Sequence, residues 1–159
     1  AAPVPVWVGG ASPGALRRAA LFGDGWVPLF CDPATFATRL AEVRELRAAA
    51  GGDPDDLTAA VVMVARVGDD GAAHAQGAAW LSRLYGISPR AFERHLVAGT
   101  ADRVAEGAHR YFSAGAAHVV VLVAADHPME QFSALMEAAA PSTPDPAAVP
   151  HSAMAGASV

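Results

Sequence analysis

The stretch best suited to chemistry is Gly9-Gly10-Ala11-Ser12-Pro13, which follows the apolar run Val4, Val6, Trp7, Val8. Two glycines remove the Cβ atoms that would hold a ligand off the backbone, and Ser12-Pro13 is an N-cap and first-turn pair. A helix that starts beside a bare turn aims its N–H groups and positive dipole end at whatever sits there, so an anionic group, phosphate first, is the natural occupant. The same residues also read as a tight strand-to-helix turn with a good cap. Their spacing is that of neither a dinucleotide fingerprint nor a Walker loop.

Other reactive side chains are sparse. All eleven cationic residues are Arg, which excludes a Schiff-base lysine and a P-loop lysine. Cys31, the single cysteine, rules out an intrachain disulfide and a cysteine-cluster zinc site. It lies just past a strand and reads either as a small apolar filler or as a thiol at a ligand end. Arg17 or Arg18 could reach a phosphate from the first helix, or lie solvated. Arg66 closes a strand, facing substrate or merely ending it. Asp126-His127 could transfer a proton, or open a helix with Asp126 as cap. His95 and His109 have no ligand spacing, so no metal site is expected.

The elements that position these residues follow from periodicity. Strands are predicted over 4–8, 25–30, 57–67 and 118–124, and helices over 13–22, 33–50, 72–85, 89–97, 101–114 and 128–139. Leu16, Ala19 and Ala20 form the inner stripe of the first helix. Phe36, Leu40, Val43 and Leu46 do so in the second, and Val104, Ala108, Tyr111 and Phe112 in the fifth. Strands alternating with helices give right-handed βα units and a parallel sheet. A small open parallel α/β sheet fits this pattern, as does half of a closed barrel. Residues 1–140 form one domain. The stretch 141–159, rich in Pro, Ala and Ser, is expected to be a disordered tail.

A net charge of −5 disfavours nucleic acid and acidic membrane surfaces as partners. No apolar run approaches the ~20 residues that span a bilayer. A reducing cytoplasm suits the cysteine usage. With no initiator Met and a strand almost at its start, the chain is expected to begin in mid-protein.

The string VGGASPGALRRAALFGDGW resembles a segment in the second half of luciferase-like monooxygenases, the FMN- or coenzyme F420-dependent barrel enzymes. AGTADRVAEGAHRYFSAGAAHVVVLV resembles the helix and final strand of the same family. The resemblance implies the C-terminal half of a (β/α)8 TIM barrel, strands five to eight, with a cofactor across the carboxyl ends. It implies phosphate contacts from Gly9, Gly10, Ala11 and Ser12, with a neighbouring wall from Gly23, Asp24 and Gly25. It also implies an oxidoreductase or monooxygenase using F420, with FMN as the alternative. The catalytic residues are expected in the first strands, outside this chain, which leaves it inactive alone. An exposed inner face predicts self-association or docking of an N-terminal half-barrel. A non-catalytic half-barrel interaction module is the competing function.

Overall fold

The structure, a computed structural model, describes residues 4–139; the tail expected over 141–159 lies outside them. In chain order the elements are β1 (Trp7–Gly9), α1 (Pro13–Phe22), β2 (Gly25–Val27), α2 (Pro33–Ala49), β3 (Thr58–Val67), α3 (Asp70–Tyr85), β4 (Leu96–Gly99), α4 (Ala101–Ser113), β5 (His118–Val123) and α5 (Pro128–Ala139). All strand pairs are parallel.

β3 is the central strand, and the direction of its backbone groups sorts its neighbours. The Thr58 and Val62 N–H groups donate to Asp24 and Pro28 on the β2 side, and the Gly68 N–H donates to Gly99 at the end of β4. The Ala59 and Ala65 carbonyls accept from Ala117 and Ala124, the residues flanking β5. β2 and β4 therefore share one edge of β3, β2 along its first half and β4 along its second. β5 runs along the opposite edge, in register with Ala60 to Ala65.

Side chains of β3 alternate between two apolar layers. Ala59, Val61, Met63 and Ala65 meet α1, α2, α4 and α5 in a core that includes Leu16, Trp26, Phe36, Val43 and Val104. Val64, on the other face, meets α3 and β4 through Ala78, Leu81, Leu96 and Ala98. That second face is concave. Trp7 and His118 stand on the two outermost strands, yet their ring centroids are 5.5 Å apart. On a flat sheet three strand spacings would hold them about 14 Å apart.

Local signals explain most boundaries. Ser12, Asp32 and Thr100 cap α1, α2 and α4 by accepting N–H groups of Ala15, Thr35 and Arg103, and proline follows the first two caps. Arg47 of α2 donates to the Gly23 and Ala20 carbonyls, satisfying the orphan end of α1.

Three expectations are corrected. The helix expected over 89–97 is only a 3₁₀ turn, Pro89–Ala91, followed by β4, so the sheet has five strands rather than four. Pairing to the free edge of β3 overrides the local Ser88-Pro89 helix signal. The first strand starts at Trp7, because the Val6 N–H is taken by the Asp24 carboxylate at 2.7 Å. Phe112, expected in the core, is exposed.

Candidate functional site

The carboxyl end of β1 builds the turn in which an anion was expected. Gly10 has φ +95°, a left-handed conformation that suits glycine, and the Ser12 hydroxyl accepts the Ala15 N–H at 3.3 Å. The turn is anchored from beneath. Trp26, fully buried and stacked on Phe36 at 5.2 Å, donates its indole N–H to the Gly10 carbonyl at 2.8 Å. A buried indole N–H needs a partner, and that requirement holds the backbone of the turn in place. Gly9, Gly10 and Ser12 stay exposed, and Ala11 is half-buried.

Arg18, on the next turn of α1, leans back over the helix start. Its Nη1 lies 3.6 Å from where a Gly14 Cβ would stand. A helix N-terminus and a glycine turn thus meet at one exposed spot, with the Arg18 guanidinium beside the first turn of that helix. Arg17 is exposed on another face of α1.

Gly23, Asp24 and Gly25 are not brought to this turn. Gly23 and Asp24 precede β2 and Gly25 opens it, at the amino end of the β1–β2 pair, whereas Gly9–Ser12 start from the last residue of β1 at its carboxyl end. Their geometry is that of a splice. A Cβ on Gly23 would stand 2.9 Å from the Ala19 carbonyl, and one on Gly25 would stand 2.7 Å from the Trp7 ring. The Asp24 backbone N–H donates to the Val6 carbonyl, and its carboxylate accepts the Val6 N–H.

Phe30 is the one non-glycine residue with positive φ among the described residues, at +55°. Such a conformation costs an aromatic residue roughly 1–3 kcal/mol. Alternation along β2 puts Trp26 toward the helices and Leu29, which bridges to Val62, toward the concave side. The left-handed turn at Phe30 breaks that alternation and keeps its ring on the concave side too. There it meets Tyr85 at 5.4 Å, Phe92 at 5.3 Å and His95 at 5.9 Å. Nothing in the sequence alone marks Phe30.

The remaining candidates have structural partners. Cys31 is buried, and burial, with the Asp32 carboxylate beside it, pushes its thiol pKa up to about 11. The Cys31 carbonyl accepts the Tyr111 hydroxyl at 2.7 Å. Arg66 donates to the Ala124 carbonyl and to Gln76, tying the end of β5 to α3. Asp126 accepts from Trp80 and Arg83 of α3, while His127 is exposed. His95 accepts from Arg94, and burial, then the Arg94 charge, lowers its pKa.

A cavity of about 800 Å³ lies between β4 and the N-terminal ends of α2 and α4. Its charged lining sets Asp32, Glu93, Asp102 and Glu106 against Arg94, Arg103 and Arg110, so it selects no sign of ligand charge. No described helix is long and apolar enough to cross a membrane.

Solved structures share this architecture. An F420-dependent secondary alcohol dehydrogenase, solved with an F420-acetone adduct, superposes with a TM-score of 0.68 at 18% identity, over 87% of this chain and 49% of its own. The coenzyme F420-dependent tetrahydromethanopterin reductase of Methanopyrus kandleri gives 0.63 at 15% identity, over 85% and 49%. A riboflavin lyase solved with modified FMN and riboflavin gives 0.60 at 10% identity, over 82% and 41%. The chain spans about half the length of each or less. No curated protein sequence matches it. The sheet topology is therefore that of half a barrel of this kind, and the family model of luciferase-like monooxygenases matches residues 1–86 of the 159. The chain belongs to the luciferase-like monooxygenase family.

Proposed function

We propose that this chain is the C-terminal half of a luciferase-like oxidoreductase and supplies the phosphate-binding end of its cofactor site. The observation that carries this reading is the turn Gly9–Ser12, where a left-handed glycine and a helix N-terminus meet at the carboxyl end of β1, with Arg18 beside the first turn of that helix. The Gly10, Ala11 and Ser12 backbone and the Ser12 hydroxyl would hold the phosphate, and Trp26 would keep the turn in shape. The bound cofactor supplies the redox chemistry, while these residues bind and orient it. Coenzyme F420 is preferred and FMN is the alternative. Two of the solved relatives are F420-dependent enzymes, and a third was solved with modified FMN.

No residue of this chain is assigned as acid or base, and the chain alone is expected neither to turn over nor to hold cofactor tightly. Completion requires the amino-terminal half of such a barrel. The test is fluorescence titration with F420 and FMN in parallel, on the chain alone and mixed with an amino-terminal half-barrel. Binding confined to the mixture, and weakened about tenfold by Ser12→Ala or Arg18→Ala, is the expected result, since a charge-assisted hydrogen bond contributes about 1.5–3 kcal/mol. Full affinity in both variants would reduce the turn to helix capping and favour the non-catalytic interaction module.

A further inference from the structure

The aromatic cluster around Phe30 has a dry side and an open side. Phe92 is 2% exposed and closes it from within, whereas Tyr85 is 42% exposed, with exposed Leu84 and Ile87 as its sequence neighbours. The left-handed Phe30 adds a second ring to a layer that Leu29, one residue earlier, already meets, and its contacts with Tyr85, Phe92 and His95 hold it there. Strained backbone persists where surroundings fix it, and it gathers at ligand sites. The strain here aims one ring out of the helix layer and onto the concave side.

Its place is informative. Gly9 pairs with Val27, so Phe30 lies three residues further along the neighbouring chain segment, about 10 Å past the level of Gly9 and at the same carboxyl end of the sheet as the turn. A molecule anchored by phosphate at Ser12 and lying across the strand ends would cross this neighbouring segment, where Phe30 stands. The rings already present meet tilted or edge-on, at 41° to 72°, and aromatic groups extend such clusters by the same offset geometry.

We propose that Phe30 and Tyr85 form the seat for a flat apolar ring of the organic substrate, held by the segment between α3 and β4. The proposal rests on the cofactor reading above and deepens it by assigning the substrate class, aromatic or otherwise flat and apolar. Phe30 is a binding residue here, with no part in proton or hydride movement.

The test uses the full chain and 2-naphthol as probe, followed by its emission. The expected result is saturable binding, weakened at least fivefold by Phe30→Gly and by Tyr85→Ala, restored by Phe30→Tyr, and unchanged by Val120→Ser on the open part of the concave face. Glycine adopts φ +55° freely, so Phe30→Gly removes the ring while relieving the backbone. If that variant unfolds, Tyr85→Ala decides alone. Unaltered affinity in Tyr85→Ala, no saturable binding by the wild type, or equal weakening by Val120→Ser overturns the seat. Cofactor titration of Tyr85→Ala separates the two proposals. Probe binding lost with cofactor binding kept supports the seat, whereas probe binding kept with no cofactor bound in any mixture overturns the cofactor reading and the substrate seat with it.

Discussion

Single residues in this chain do work that their sequence neighbours conceal. The stretch Gly23-Asp24-Gly25-Trp26 resembles a family signature, and the resemblance implies a cofactor wall from its first three members. In the fold these residues also have structural contacts. Gly25 lets the Trp7 ring pass, Asp24 fastens Val6, and Trp26 reaches through to hold the Gly10 carbonyl. The turn at 9–12 was legible because glycines and a cap act locally. Trp26 was not, because its hydrogen bond spans sixteen residues. Cys31 and Tyr111 make a prediction about alkali. Burial raises the Cys31 pKa to about 11 and that of Tyr111 to about 12, so the unfolded chain releases these protons first. Stability is thus intact below about pH 9 and falls as pH rises through the folded values. Urea unfolding between pH 8 and 11 should show this decline, and Cys31→Ala should delay its onset. A flat profile in the wild type would mean that the two groups are more solvated than their packing implies.

At the scale of elements, caps and apolar stripes placed nearly every helix, since those signals lie within one or two turns of chain. β4 escaped because Leu96–Gly99 is a strand only by virtue of what it pairs with. Two glycines hold it from opposite faces. A Cβ on Gly107 of α4 would stand 2.5 Å from Val97 Cγ1, and one on Gly77 of α3 would stand 2.7 Å from Leu96 Cδ2. The two are not equivalent. Valine is stiff at χ1, whereas a leucine methyl can swing aside. Gly107→Ala should cost about 1–3 kcal/mol through overpacking, while at Gly77 the gain in helix propensity of about 1 kcal/mol should offset most of the strain. Paired denaturation curves check this, and equal losses at both positions would show that Leu96 is as fixed as Val97.

For the whole molecule, an exposed inner face was expected, and the finding is more specific. The excursion α3–β4 covers the carboxyl half of the concave side, leaving Leu122 half-buried, whereas Val120, nearer the amino end of β5, remains 47% exposed. A half-barrel partner would meet the free edges of β1 and β5 and this valine. The Trp7–His118 contact bears on how fast that meeting would occur. It fixes the bend of the sheet inside this chain, so an incoming half finds a seat already shaped and no slow rearrangement need precede capture. Association in stopped flow should then be a single concentration-dependent phase near 10⁵–10⁶ M⁻¹s⁻¹, typical of rigid docking without steering. Trp7→Ala should release the bend, turning a lock that is cut in advance into one that must be forced open, and a second, concentration-independent phase should appear.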